Sequence, residues 1–286
     1  MKIVKVYEGT DPGATPGRVF TASIPQETII PEGKFLHFIK IGLKHAVATA
    51  AVVIEDTATI LSEYVFRVGA ENRIIANLAD LCAIHWAVFR EPIVIGENTD
   101  ATGNNFIGGV KVPIFAAADQ AKPFTHSAER TAVTNAATET LGISAYYDDN
   151  AGGNKAIHAV KVPYTTAAAA GYDTPAFRLP PVGVLRYLII RQPNGFADGN
   201  IDVSVQRVRL LVNGQQHTQF NSLVDAVPYP GVDLVTPSPV ADLFRPYLIF
   251  DLGPSGLDCK GQEVTLQLDV QDVSDAISII PVLELA

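Results

Sequence analysis

Leu179–Ile190 reads LPPVGVLRYLII, and Val205–Val224 reads VQRVRLLVNGQQHTQFNSLV. The first stretch is a Pro-x-Gly turn, Pro181 to Gly183, running into apolar residues in which Leu185, Tyr187 and Ile189 alternate. Alternation of this kind is the signature of a half-buried strand. The second stretch places Asn213-Gly214 between two β-runs and then enters a short candidate helix at Asn221–Val227. Asn-Gly is a strong hairpin signal, because a type I′ turn needs positive φ at both central residues.

The same order of features occurs roughly 150 residues earlier. Pro31-x-Gly33-x-Phe35 is followed by His37, Ile39 and Ile41 in the same phase. Tyr64–Val68 then leads through Gly69 to Leu78-Ala79-Asp80, as Val208–Val212 leads through Asn213-Gly214 to Leu223-Val224-Asp225. A Pro-x-Gly turn alone is common. Four features in one order at a nearly constant offset predict an internal duplication. Each half is expected to close with two strands, Leu141–Tyr147 and Ile157–Val162 in the first, Val264–Val270 and Ile277–Leu285 in the second.

Elsewhere the chain is a series of short β-runs punctuated by Gly, Pro, Asn and Asp. They fall at Phe35–Leu43, Ala51–Ile54, Ile93–Ile95, Val110–Phe115 and Tyr247–Leu252, besides those already named. The best helical pattern is Arg73–Trp86, with Ile74, Leu78, Leu81 and His85 on one face and Asn72 as a cap. Residues 116–139 are rich in Ala and Thr without a clear period, and read as a surface excursion. The stretch 163–180, with Pro163, Pro175 and Pro180, reads as a connector between domains 1–162 and 181–286. The expected fold class is all-β, two consecutive domains with one or two short helices.

Composition narrows the function. The chain has 286 residues, 48% hydrophobic and 18% charged, with net charge −9. It can bury a large core, and its low charge leaves surface for protein contacts. The 21 basic residues are scattered. Direct nucleic-acid binding needs them clustered, so it is not expected. The start, MKIVKVYEGTDPG, does not read as a signal peptide, its apolar run being broken by Lys5. Nor does any stretch reach the ~18 apolar residues of a transmembrane helix.

Catalytic motifs of the GxSxG, HExxH, P-loop and GxGxxG types are missing. Gly253-Pro254-Ser255-Gly256 reads as a plain turn. Six histidines (His37, His45, His85, His126, His158, His217) are dispersed, and Cys82 and Cys259 belong to no metal motif. Two oxygen-rich loops, Glu97–Asn105 and Asp148–Asn154, are the candidates for calcium, although neither has EF-hand spacing. Asp251, Asp269 and Asp272 are the carboxylates from which a glycosidase-type pair could be drawn. No catalytic, cofactor or metal residue is assigned, and the chain is not expected to be an enzyme.

The paired blocks Pro31–Ile41 with Tyr64–Leu81, and Pro181–Ile190 with Val208–Asp225, resemble the double jelly-roll major capsid proteins of tailless icosahedral viruses, in their small, compact form. The resemblance spans about residues 15–286 and is architectural. It implies two eight-stranded jelly rolls and a homotrimer with a pseudo-hexagonal outline that tiles an icosahedral shell. Minor capsid or vertex proteins and an internal membrane are the further partners it implies, with synthesis in the host cytoplasm and residence in the virion. Paired β-sandwiches also occur in carbohydrate-active and glycan-binding proteins, which remains the alternative.

Overall fold

The computed structural model describes residues 1–12, 18–24, 30, 33–47, 54–96, 104–119, 121–131, 136–150, 152–166, 171–172, 177–192, 196–197, 200–201, 204–227, 229, 238–271 and 276–285. Contacts divide the chain into two units, Met1–His158 and Ala159–Ala286. The first contains β1 (Lys2–Pro12), β2 (Arg18–Ile24), β3 (Phe35–Val47), α1 (Ile54–Thr59), β4 (Leu61–Val68), β5 (Glu71–Ala76), α2 (Leu78–Phe89), β6 (Val94–Gly96), β7 (Asn104–Ala117), β8 (Phe124–Arg130) and β9 (Ala136–Asp148). The chain passes from one unit to the next within β10 (Ile157–Val160). In the second lie β11 (Val162–Thr165), β12 (Gly171–Tyr172), β13 (Phe177–Arg178), β14 (Val184–Arg191), the hairpin β15 (Phe196–Ala197) and β16 (Asn200–Ile201), β17 (Val205–Val212) and β18 (Gln215–Asn221). They are followed by α3 (Ser222–Asp225), α4 (Pro239–Phe244), β19 (Tyr247–Asp251), β20 (Leu257–Asp258), β21 (Val264–Val270) and β22 (Ala276–Glu284).

The two units share one topology. In the first, β1-β9-β3-β7 form one sheet, with β6 beyond β7, and β2-β8-β4-β5 form the other. In the second, β11-β22-β14-β19 form one sheet, and β12/β13-β21-β17-β18 the other. Numbering the eight principal strands of either unit in chain order, with β12 and β13 as one interrupted strand, both read 1-8-3-6 and 2-7-4-5. That order is the jelly roll. Among the described residues the ladders within the units are antiparallel, as hairpin and Greek-key connections require.

Several strands expected from the sequence are present, with corrections that follow from ladder pairing. Residues 116–139 are not a surface excursion. They contain β8, paired with both β2 and β4, whose Phe124, His126, Ala128 and Arg130 point inward. The closing strands of the first unit are therefore β8 and β9, the counterparts of β21 and β22. Nor is 163–180 a connector: β11 pairs with β22, and β12 and β13 pair with β21. The helix expected over Arg73–Trp86 is shifted. Glu71–Ala76 is a strand in register with β4, because Phe66 opposite Ile74 and Tyr64 opposite Ala76 are all buried. The helix starts instead at a capping box, where the Asn77 side chain accepts from Asp80 N–H at 2.8 Å and Asp80 accepts from Asn77 N–H at 3.3 Å. Ile54 opens helix α1 rather than ending a strand; residues 51–53 lie outside the described residues. The expected Asn221–Val227 helix is the single turn α3, and α4 begins at the Ser238 cap with Pro239.

The duplicated turns share a backbone conformation. Gly33 and Gly183 both take positive φ, 76° and 66°, just before β3 and β14. Asn213 and Gly214 have φ of 50° and 79°, as the hairpin requires. Gly183 has a second constraint: a Cβ there would sit 2.2 Å from the Glu284 carbonyl oxygen. At Gly33 the same atom meets nothing within 4 Å. Gly33→Ala should thus cost about 1–2 kcal/mol in urea unfolding, the strain alone. Gly183→Ala should cost about 3 kcal/mol or more, because β14 must also move away from β22. Equal losses would mean that the contact at Glu284 is not felt.

Each unit has an apolar interior between its sheets. In the second unit Leu185, Leu188 and Ile190 of β14 join Val208, Leu210, Leu248, Phe250, Leu266, Leu268, Ile279 and Leu283 in one cluster. Phe220 of β18 stacks on Phe250 of β19 across the sandwich, centroids 5.1 Å apart. Each such side chain contributes about 1.5–3 kcal/mol by leaving water.

Candidate functional site

Among the described residues, the titratable groups singled out from the sequence form no cluster of three. His37 Nε2 lies 2.7 Å from Asp148 Oδ1, tying the start of β3 to the end of β9. That bond, with a second from Asn150 N–H, holds the Asp148 carboxyl below 3.8. His85 is fixed as a neutral bridge: Nδ1 accepts the Lys111 N–H at 2.8 Å and Nε2 donates to the Glu91 carbonyl at 3.0 Å. Burial pushes its pKa below 6.5, and does the same to His45 and His158. His126, with both ring nitrogens buried and unpaired, is pushed down to about 4 by burial. These five histidines are thus held by packing or by local bonds, while His217 is exposed on β18, and among the described residues no three His, Cys, Asp or Glu form a metal cluster.

The cysteines lie in different units, both buried, and burial raises the pKa of both thiols. Asp251 and Asp269 lie in opposite sheets of the second unit. Asp251 accepts from Gly253 N–H at 2.8 Å, closing a turn, and Asp269 lies 3.9 Å from Arg207. Asp272 lies outside the described residues. Gly253–Gly256 is a tight turn, with Gly256 N–H donating to the Gly253 carbonyl at 3.2 Å. In the loop Asp148–Asn154, Asp148 and Asn150 spend oxygens on the N–H groups of Asn150 and Gly152, both at 2.9 Å. Residues 97–103 of the other oxygen-rich loop are outside the described residues, and its last residue, Asn105, donates to Thr57 inside the first unit.

Among the described residues, large apolar side chains stand exposed at Met1, Ile3 and Val182 and in two further patches. Val94 and Phe106 are 57% and 39% exposed beside an open groove of about 390 Å³ on the outer face of the first unit's β1-to-β6 sheet. Leu223 and Val224, 56% and 78% exposed, form the tip of α3 in the second unit. In the sequence, Leu223 and Val224 belong to the repeat and to the candidate helix Asn221–Val227. Their exposure could not be read from it, because the equivalent helix α2 is almost wholly buried.

The chain has the double jelly-roll fold. No family model matches it, and no curated protein matches it by sequence. Solved structures do. The crystal structure of the STIV major capsid protein, from Sulfolobus turreted icosahedral virus, aligns with a TM-score of 0.67 over 100% of this chain and 97% of that one, at 12% identity. The PBCV-1 virus capsid aligns at 0.59, over 99% and 93%, at 11% identity. The major capsid protein P2 of bacteriophage PM2 aligns at 0.58, over 100% and 97%, at 12% identity.

Proposed function

We infer that this chain is a major capsid protein, a structural subunit that tiles an icosahedral shell and catalyses nothing. The observation that carries the reading is the doubled jelly roll, one strand order repeated in one chain. It is supported by full-length likeness to viral capsid proteins built on the same fold. A ring of three such chains presents six similar barrels, and its pseudo-hexagonal outline lets one tile meet neighbours along every edge. Minor capsid or vertex proteins and an internal membrane are the partners a shell of this kind would meet, after synthesis in the host cytoplasm. With net charge −9 the chain is suited to contact other proteins rather than the genome.

Light scattering after size exclusion should give three times the 30.6 kDa chain mass, and negative-stain images should show threefold particles with hexagonal outline. A strictly monomeric protein at all concentrations and salts would overturn the reading.

A further inference from the structure

The two apolar patches differ in shape. On the first unit, the row Glu8, Gly142, Gly42, Gly108 and Val94 runs across β1, β9, β3, β7 and β6, by direct register at each step except Gly42 to Gly108, where β7 bulges. Its neighbours Ile41, Leu43, Leu141, Ile143, Ile107 and Val110 are buried, so the row faces outward. Three strands therefore present bare backbone, which makes the floor of the groove, and Phe106, Lys44 and Thr140 stand along one wall. Lys40 lies along the other side, its Cε 3.7 Å from where a Cβ on Gly109 would be. The groove is shallow and largely apolar, with Lys44 and Lys40 on its two sides and Glu8 at its β1 end.

The second unit presents the opposite shape. α3 follows β18 as α2 follows β5, yet α2 buries ten residues and α3 buries only Ser222. Leu223 and Val224 project beside Asp225, and the turn is held rigid by its own bonds: Asn221 Oδ1 accepts Leu223 N–H, and Asp225 accepts Asn221 N–H. Two adjacent aliphatic side chains with a carboxylate beside them match a slot sized for aliphatic groups and flanked by lysines.

We propose that the groove of one copy receives the Leu223–Val224 tip of a second copy, with Asp225 facing Lys44. This deepens the self-assembly reading and rests on it. Because tip and groove belong to different units, the contact is head to tail, and head-to-tail contacts close into rings when the rotation allows.

The groove can be filled without disturbing the fold. A Cβ on Gly42 meets nothing within 4 Å, and one on Gly142 comes no closer than 3.9 Å to anything. Gly42→Trp should keep its melting temperature within about 2 °C while shifting the protein to monomer on size exclusion. Leu223→Ser with Val224→Ser should do the same. For direct contact, Gly142→Cys combined with Val224→Cys should give disulfide-linked ladders under oxidised glutathione, and neither single change should, since Cys82 and Cys259 are buried. If Gly42→Trp or the double Ser variant assembles as the wild type does, or the double Cys variant assembles without cross-links, the tip-in-groove contact is wrong and self-assembly stands. If the wild type itself never assembles, both fall.

Discussion

Glu139→Ala is expected to lower the unfolding free energy of the first jelly roll by about 3–5 kcal/mol. Glu139 on β9 and Arg130 at the end of β8 form an ion pair between the two sheets, with side chains 1% and 4% exposed. Burying both charges cost desolvation, which their mutual attraction and hydrogen bond offset. Deleting the carboxylate removes the charge that Glu139 sets against the buried guanidinium, and that cost is large. Replacing both partners, Arg130→Met with Glu139→Leu, should recover most of the loss, because neither charge is then desolvated. The exposed Lys5–Glu8 pair is the control, and Glu8→Ala should change stability by less than about 1 kcal/mol. Urea unfolding with a probe in the first unit measures all three. A loss at Glu139 no greater than at Glu8 would show that water reaches the pair.

Acidification should weaken the fold well before the carboxylates titrate. His126 is 3% exposed and its folded pKa is lowered from 6.5 to about 4. A lowered pKa on a base means that the unfolded chain takes up the proton first. Its contribution is complete above about pH 6.5 and is lost as the pH falls from there toward 4, in total about 3 kcal/mol. His45, His85 and His158 are shifted in the same direction by the same cause, so their losses add to it. At His85 protonation also turns Nδ1 into a donor facing the Lys111 N–H, which removes that bond. Chemical unfolding at pH 7, 6, 5 and 4.5 should show a steep decline. His126→Leu should remove about one proton from the slope while leaving stability at pH 7 within about 1 kcal/mol of wild type, the substitution being close in volume. An unchanged slope would place the His126 ring in contact with water.

Much of the architecture was legible where strands carry their own apolar alternation. β14, β17, β21 and β22 read correctly because Leu185, Val208, Leu266 and Ile279 recur on one face and Gly or Asn-Gly marks the turns. β8 did not, since two of its four inward residues are His126 and Arg130, and a pattern counted in apolar residues sees no period there. Ile74 misled in the other direction, fitting a helical spacing with Leu78 although its partner is Phe66 across a hairpin. The surface patches were illegible for a related reason. Glycine at 42, 108 and 142 means nothing until pairing lines the three up.

From the chain alone came the local facts: turns that demand positive φ, strands with two-residue periodicity, and a duplicated order of features. Tertiary structure alone decided which strands pair, that Phe124–Arg130, Val162–Thr165, Gly171–Tyr172 and Phe177–Arg178 belong to the sheets, and that one helix of the duplicated pair is buried while the other stands open. Turn geometry and side-chain alternation are properties of neighbouring residues, so they are written locally. Pairing joins segments a hundred residues apart, and short strands such as β11 to β13 become strands only because β21 and β22 offer them free backbone groups.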